Sequence, residues 1–236
     1  MKQWIPFAGV ALGAAAIASV GTAALVMHSM RGGSQVRAYL LDNPEVLTEA
    51  MDLLRQKQAA AQIAPNRLAL ETPYAGAWIG AEKPDVTLVQ FFDYACGYCR
   101  ASLPDVQRLV KEDPKIRVVF RELPILSRES EAAARVSLGA AEQGRFAAFH
   151  DALYAAGRPN AATIEQAARA AGLDLAKVQA MVKAPRTEQE LAQNAELYRV
   201  LGFIGTPSWV VGNRIMSGAV GYDALKEAVA EAREKS

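Results

Sequence analysis

The clearest chemistry in this chain lies in Cys96 and Cys99, its only cysteines, which are separated by Gly-Tyr. Any disulfide within the chain must therefore join these two residues. A disulfide that closes so short a loop removes little entropy from the unfolded chain, so a purely stabilising role is a weak explanation. A structural zinc site would need every cysteine and histidine, because the sequence contains only 2 of each. The spacing favours a redox-active pair that exchanges disulfides with other thiols.

A strand followed by a helix is expected to position this pair. Residues 86–92 are β-branched and aromatic and predict a buried strand, and the apolar spacing after Cys99 predicts a helix. Cys96 then lies at the helix N-terminus, where free N–H groups and the helix dipole favour an anion. We expect Cys96 to attack as a thiolate and Cys99, one turn later, to resolve the mixed disulfide. Between them, Gly97 is expected to permit a tight turn into the helix and Tyr98 to modulate the reduction potential.

The rest of the main domain predicts a mixture of strands and helices. In chain order, the patterns indicate a strand at 115–123, a helical stretch at 131–201 broken near Gly157 and Gly172, a hairpin at 208–216 and a closing helix at 222–233. Thr206-Pro207 directly precedes the hairpin. Proline has no N–H for a sheet ladder, so Pro207 fits the start of a strand.

The N-terminal part of the chain is expected to reach a membrane. Residues 4–27 carry no charge, and a helix of this length would cross a bilayer core of about 30 Å. Residues 1–30 therefore predict a signal anchor or a cleaved signal peptide, and the length of the apolar run favours the anchor. Residues 31–66 predict a helical stalk that begins at Asn43-Pro44. This stalk either packs on its own domain or forms a homo-oligomer through residues 36–63.

Composition excludes several other classes of protein. The 236 residues are 51% hydrophobic and 22% charged, which is too apolar for global disorder and sufficient for a full core. Lys+Arg 26 against Asp+Glu 25 gives a net charge of +1, so the basic excess of a nucleic-acid-binding protein is absent. His28 is expected at the membrane interface, and His150 is expected to be a structural or surface histidine rather than a ligand. We predict no cofactor and no metal site; Cu(I) held by the two thiols is the weakest of the functional hypotheses.

Taken together, the sequence from Phe91 to Cys99 and the later Thr206-Pro207 resemble the DsbA-like branch of the thioredoxin superfamily. The resemblance implies an α/β fold, with a thioredoxin-like central sheet in residues 67–236 and a helical domain inserted at about 128–201.

The resemblance also implies how a substrate is held. It implies a cis peptide bond between Thr206 and Pro207 that faces the first cysteine, with the Thr206 backbone free to pair with an extended substrate. The substrate-binding residues are then expected to be Thr206, Pro207, Gly97 and Tyr98.

The function that follows is an exported thiol-disulfide oxidoreductase. It would exchange the Cys96–Cys99 disulfide with cysteines of other exported proteins, in the periplasm or at the outer face of the cytoplasmic membrane. A membrane redox partner would recycle it. Because DsbA-like relatives oxidise their substrates, an oxidase is the first hypothesis. The Gly-Tyr dipeptide also occurs in disulfide isomerases and reductases, which tend to be oligomeric, so this activity is the alternative.

One position departs from the pattern of these relatives. They commonly carry an acidic residue six positions before the first cysteine, where this chain has Gln90. Either a water molecule or Glu122, at the end of the next predicted strand, could replace that acid.

Overall fold

The computed structural model describes residues 35–234. The chain divides into two compact units, Met1–Arg55 and Gln56–Ser236, which are described separately. In the first unit, residues 35–42 are helical, and helix α1 (Glu45–Ile63) starts after a short break. Within residues 35–234, no helix is both long and apolar enough to cross a membrane. The predicted membrane segment at 4–27, and His28, lie outside the described residues.

The prediction that the stalk helix starts at Asn43-Pro44 is wrong in its details. Residues 35–42 are already helical, and α1 begins at Glu45. Asn43 Nδ2 donates to the main-chain oxygen of Tyr39 at 2.9 Å, and the Asn43 N–H donates to the same oxygen. Asn43 therefore satisfies a carbonyl at the end of the earlier helical segment.

The second unit is built on a sheet of five described strands in the order β1-β3-β2-β4-β5. The β2–β3 pair is parallel and the other pairs are antiparallel. The strands are β1 (Trp78–Gly80), β2 (Val86–Phe92), β3 (Ile116–Glu122), β4 (Ser208–Val211) and β5 (Arg214–Ser217).

Helices cover the sheet and form an insertion between β3 and β4. A short 3₁₀ turn (Ala64–Asn66) leads into α2 (Arg67–Glu71), α3 (Gly97–Glu112) follows β2, and α9 (Tyr222–Glu234) closes the chain. The insertion contains α4 (Arg128–Glu142), α5 (Phe146–Ala156), α6 (Ala161–Ala170), α7 (Leu175–Val182) and α8 (Pro185–Val200).

Alternation along the strands places side chains in two cores. Leu88 and Phe92 of β2 belong to the larger core, which also contains both cysteines. Val89 and Phe91 belong to the smaller core on the other face. Successive strand side chains point to opposite faces, so one buried strand supplies both.

The inserted helical stretch has more breaks than its sequence predicted. The breaks at Gly157 and Gly172 are confirmed. The chain also turns between α4 and α5, where Gly144 has a φ of 66°, and between α7 and α8, where Pro185 opens the next helix. Proline suits the first turn of a helix because its missing N–H has no partner there. Strand β1 was not predicted, because three residues are too few to show the alternation of apolar and polar side chains that indicates a strand.

Candidate active site

Helix α3 begins at the first cysteine. The chain leaves β2 at Phe92 and turns through residues 93–95, and Cys96 is the N-cap, with φ −76° and ψ 116°. Within the described chain, the first turn of α3 carries no acidic side chain. The partial positive charge of the helix N-terminus therefore acts on the Cys96 sulfur without an opposing carboxylate from that turn.

The second cysteine lies one turn further on and is more deeply buried. Cys99 is 1% exposed against 7% for Cys96, and both are free thiols. Burial raises the pKa of the Cys99 thiol far above its ordinary value, and the neighbouring Cys96 raises it further. The Asp93 main chain lowers this pKa with an effect second only to burial, and the Thr206 side chain lowers it least. Cys99 is therefore held as a protonated thiol.

The Thr206–Pro207 loop packs against both sulfurs. Its peptide bond is cis, as the resemblance implied. Cys96 Sγ donates to the main-chain oxygen of Thr206 at 3.2 Å, although the two residues are 110 positions apart. The register of the sheet explains this approach, because β4 begins at Ser208, which pairs with Phe91 near the end of β2.

Between the cysteines, Gly97 and Tyr98 form part of the surface. Tyr98 is 70% exposed. Gly97 was expected to permit a tight turn into α3, and the structure shows how little this turn depends on glycine. Its φ is not in the positive range, and an added Cβ would meet none of the described atoms within 4 Å. The backbone therefore does not require glycine at this position.

Asp93 is a site residue that the sequence patterns did not identify. It is buried, and its side chain accepts hydrogen bonds from the N–H groups of Ala95 (2.7 Å), Ile125 (2.9 Å) and Leu126 (3.0 Å). It also accepts one from the Ser130 hydroxyl at 2.6 Å. The bond to Ala95 is an Asx turn, and an aspartate between a strand and a helix was the available signal. The bonds to residues 125–130 have no such local signal.

A buried polar cluster lies among the aromatic rings beside the thiols. The Tyr94 hydroxyl contacts Ser137 Oγ at 2.9 Å and His150 Nδ1 at 3.1 Å. Tyr154 donates to the Asp93 main-chain oxygen at 3.3 Å. Burial lowers the pKa of His150 to about 3, so the imidazole is neutral. Of the two roles expected for His150, its burial and its bond to Tyr94 favour the structural one over the surface one.

Metal binding finds no further support in the described chain. Within residues 35–234, no group of three or more His, Cys, Asp or Glu side chains is placed to hold a metal ion. A Cu(I) ion would have to rely on the two thiols.

Two known families match different parts of the sequence. The DSBA-like thioredoxin domain matches residues 87–230, which include both cysteines and the Thr206–Pro207 loop. The N-terminal domain of the copper resistance protein ScsC matches residues 33–61.

Solved structures of similar proteins extend over most of the second unit. A thioredoxin-like oxidoreductase from Silicibacter pomeroyi is 42% identical, with a TM-score of 0.67, and the match covers 71% of this chain and 96% of that one. A periplasmic thioredoxin-like protein from Salmonella enterica serovar Typhimurium is 30% identical, with a TM-score of 0.63, covering 71% of this chain and 95% of that one.

Curated relatives are longer than this chain. The Na(+)/H(+) antiporter NhaA 3 of Salinispora tropica is 31% identical over 158 residues, which are 65% of this chain and 24% of the antiporter. The chain thus spans about a quarter of the length of the curated relatives it matches. Since the thioredoxin-domain match covers more than half of the sequence and includes the paired thiols and the cis-proline loop, the chain belongs to the DsbA-like family of thiol-disulfide oxidoreductases.

Proposed function

We propose that this chain is an exported oxidase that donates the Cys96–Cys99 disulfide to cysteines of other exported proteins. The observation that carries the proposal is the asymmetry of the two thiols. Cys96 occupies the N-cap position of α3, is 7% exposed and contacts the Thr206 carbonyl at 3.2 Å, whereas Cys99 is only 1% exposed. A sulfur at the start of a helix, next to a more deeply buried partner, suits a nucleophile and a resolving thiol.

In this proposal, a client thiolate attacks the Cys96 sulfur of the oxidised protein, and the Cys96–Cys99 bond breaks. Cys99 leaves with the electron pair and takes up a proton. A second client thiolate then attacks the client sulfur of the mixed disulfide, and Cys96 departs as a thiolate. The client gains a disulfide and the protein becomes a dithiol. Stabilising the Cys96 thiolate favours the reduced protein, which makes its disulfide a stronger oxidant.

Four residues are proposed to contact the client segment: Thr206, Pro207, Gly97 and Tyr98. The position of the Thr206 carbonyl at Cys96 supports pairing of this loop with an extended client backbone. The exposure of Tyr98 and the open space at Gly97 support a client path over the start of α3.

Export is the second part of the proposal. The uncharged run at 4–27 is proposed to anchor the chain, with the catalytic domain in the periplasm or at the outer face of the cytoplasmic membrane. Similarity to a periplasmic protein supports this location. A membrane redox partner is proposed to reoxidise the dithiol after each cycle.

An oligomeric isomerase or reductase is the second candidate, and helix α1 favours it. Leu47, Met51 and Leu54 are 51%, 54% and 55% exposed, and they follow each other at helical spacing. A stripe of large exposed apolar side chains on a helix is typical of an interaction surface. The match of residues 33–61 to a separate N-terminal family also marks this segment as a module of its own.

Trapping tests the primary proposal. In the full chain, Cys99→Ala should leave Cys96 able to attack client disulfides, which is the reverse of the proposed cycle. No second thiol of the protein can then open the mixed disulfide, so mixed disulfides with exported proteins accumulate. These are identified on nonreducing gels and by mass spectrometry. The matched control, Cys96→Ser together with Cys99→Ala, should trap none. Exchange that persists in Cys96→Ser alone would contradict the assignment of the nucleophile.

A second measurement separates oxidase from isomerase. We expect the oxidised protein to introduce disulfides into a reduced client faster than the reduced protein reshuffles a scrambled one. If Leu47→Ser, Met51→Ser and Leu54→Ser together reduce the molecular mass in solution and abolish efficient reshuffling, the isomerase is correct. The triple variant leaves the thiols untouched, so oxidation of a reduced client serves as its internal control.

A further inference from the structure

Glu122 is a buried carboxyl group that the mechanism above does not use. It is 1% exposed, and within residues 35–234 its Oε1 has no hydrogen-bond partner. The carboxyl group does interact with the Ser137 side chain. An ionised carboxylate with an unpaired oxygen is costly in a protein interior, whereas a protonated carboxyl needs fewer partners. This environment therefore suits a group that holds a proton.

The sheet places Glu122 close to the thiols. It is the last residue of β3, and its Cα pairs in register with that of Phe92 at the end of β2. The next residue, Asp93, interacts through its main chain with Cys99. Two residues earlier in each strand, Gln90 pairs with Phe120. Side chains two residues apart in a strand point to the same face, so Glu122 lies on the same face as Gln90. It is also nearer to the end of the sheet that carries the cysteines.

The charges around Glu122 keep it neutral. Burial, followed by the negative charges of Asp93 and Glu190, raises the pKa of Glu122 well above its ordinary value, and the Ser137 hydrogen bond lowers it less. The titratable and polar groups around it are Asp93 and Tyr94 from the segment after β2, Ser137 from α4, His150 and Tyr154 from α5, and Glu190 from α8. No basic side chain is among them, and His150 is neutral.

The hydroxyl groups of Ser137, Tyr94 and Tyr154 lie near this carboxyl, and the Tyr154 hydroxyl donates to the main-chain oxygen of Asp93 at 3.3 Å. Ser137 Oγ contacts the Tyr94 hydroxyl at 2.9 Å, and the rings of Tyr94 and Tyr154 are 5.1 Å apart. Burial and the negative charge of Cys99, and after it those of Tyr94 and Glu122, raise the pKa of Tyr154. Tyr154 therefore lies within electrostatic reach of both the resolving thiol and the acid.

We propose that Glu122 stores the proton that Cys99 takes up when its disulfide opens and gives up when the disulfide closes. The inference rests on the proposed thiol-disulfide exchange and adds a positioning residue to it, one that acts through Ser137 and the tyrosine hydroxyls. In the opening step, a client thiolate forms a bond with the Cys96 sulfur and the Cys96–Cys99 bond breaks. The Cys99 thiolate then gains the proton of the Glu122 carboxyl, which becomes a carboxylate and later regains a proton from solvent.

The pH profile of one step tests this role. In the oxidised full chain, the rate at which a small dithiol opens the disulfide, expressed per dithiol thiolate, should fall as pH rises and Glu122 loses its proton. Glu122→Gln should abolish this fall and slow the step about tenfold or more at neutral pH, since general acid catalysis typically contributes about 10²–10⁴-fold. Gln90→Glu in the Glu122→Gln protein returns a carboxyl to the same face and should restore part of the rate.

A control and a spectrum separate proton storage from a structural role. Glu142→Gln alters a carboxyl that is paired with Arg186 and is not among the charges that act on Glu122, so it should leave the pH profile unchanged. The infrared difference recorded while a small dithiol opens the disulfide should contain the transient loss of a protonated-carboxyl band, and this band should disappear in Glu122→Gln. An unchanged pH profile, or a band that persists in Glu122→Gln, would overturn the inference. If trapping still succeeds in the Cys99→Ala protein, the proposed function stands in either case.

Discussion

At the scale of single residues, Asp93 organises the site although it performs none of the proposed chemistry. Its carboxylate binds the N–H groups of Ala95, Ile125 and Leu126, and its main-chain oxygen accepts the Cys96 N–H at 3.0 Å. It therefore fixes the turn that brings Cys96 to the start of α3 and ties that turn to the segment after β3. A conservative substitution of Asp93 should therefore alter both the free energy of unfolding and the rate of disulfide exchange.

We expect Asp93→Asn to lower the free energy of unfolding and the rate of disulfide exchange. The amide NH₂ would face N–H groups that need an acceptor, and a buried unpaired donor costs about 1–3 kcal/mol. Urea unfolding and stopped-flow exchange with a small dithiol measure the two effects. Asp105→Asn makes the same chemical change on α3 and is the control. Equal losses in the two variants would refute the special role of Asp93.

At the scale of elements, α6 shows how a local sequence defines a helix start. The Asn160 side chain accepts from the N–H groups of Ala162 and Thr163 at 2.9 and 3.0 Å, and the Thr163 hydroxyl accepts from the Asn160 N–H at 2.9 Å. This reciprocal pair is a capping box. The helix then buries Ile164 and Ala167 against the larger core.

Asn160→Ala should therefore lower the free energy of unfolding by about 1 kcal/mol, because two N–H groups at the helix start lose their acceptor. Asn160→Ser keeps an acceptor of suitable length and should retain most of the stability. Thermal and urea unfolding of both variants provide the measurement. If serine costs as much as alanine, the capping bonds are not the source of the effect.

At the scale of the whole second unit, Arg121 joins distant segments on the face of the sheet opposite the thiols. Its guanidinium is buried and bonds Glu190 Oε1 at 2.9 Å. It also donates to the main-chain oxygens of Leu70 and Thr72 at 3.1 and 2.5 Å. One side chain thereby connects β3, α8 and the end of α2.

Removing only the Arg121 guanidinium should strongly lower the free energy of unfolding. Arg121→Ala leaves the Glu190 carboxylate buried without its partner, which typically costs about 3–5 kcal/mol. Replacing both, as Arg121→Met with Glu190→Leu, removes the unpaired charge and should cost less than the single change. Urea unfolding compares the two proteins. A double variant that is as unstable as the single one would show that the unpaired charge is not the main cost.

His150 predicts how the stability of the whole unit depends on pH. In the unfolded chain its pKa is the ordinary 6.5, and in the folded protein burial lowers it to about 3. Between these values the unfolded chain binds more protons, so the free energy of unfolding falls as pH falls below about 6.5, by about 1.4 kcal/mol per pH unit. His150→Phe keeps a ring among the same aromatic neighbours and removes the titration.

Urea unfolding of both proteins at pH 7 and pH 4 checks this expectation. Relative to His150→Phe, the wild-type protein should lose roughly 3 kcal/mol between these pH values. The Phe variant lacks the hydrogen bond to Tyr94 at both pH values, so the loss of this bond cancels when the two proteins are compared. Parallel pH curves for the two proteins would contradict a neutral buried imidazole.

Much of this protein follows from its sequence. The continuous apolar run at 86–92 specified a buried strand, the paired cysteines after it specified a helix start at Cys96, and Gly212-Asn213 specified the turn between β4 and β5. Each of these depends on interactions among neighbours in the chain, which residue type and spacing record directly. The short β1 left no such record, because its three residues form a strand only by pairing with β3.

Only the tertiary structure decided what surrounds the sulfurs. The contacts of Cys96 with Thr206, of Asp93 with residues 125–130 and of Glu122 with Ser137 join segments far apart in sequence. Such contacts depend on strand order and on how the inserted helices pack, and no local periodicity records either. Only the folded backbone shows that there is open space around Gly97, where an added Cβ would meet none of the described atoms within 4 Å.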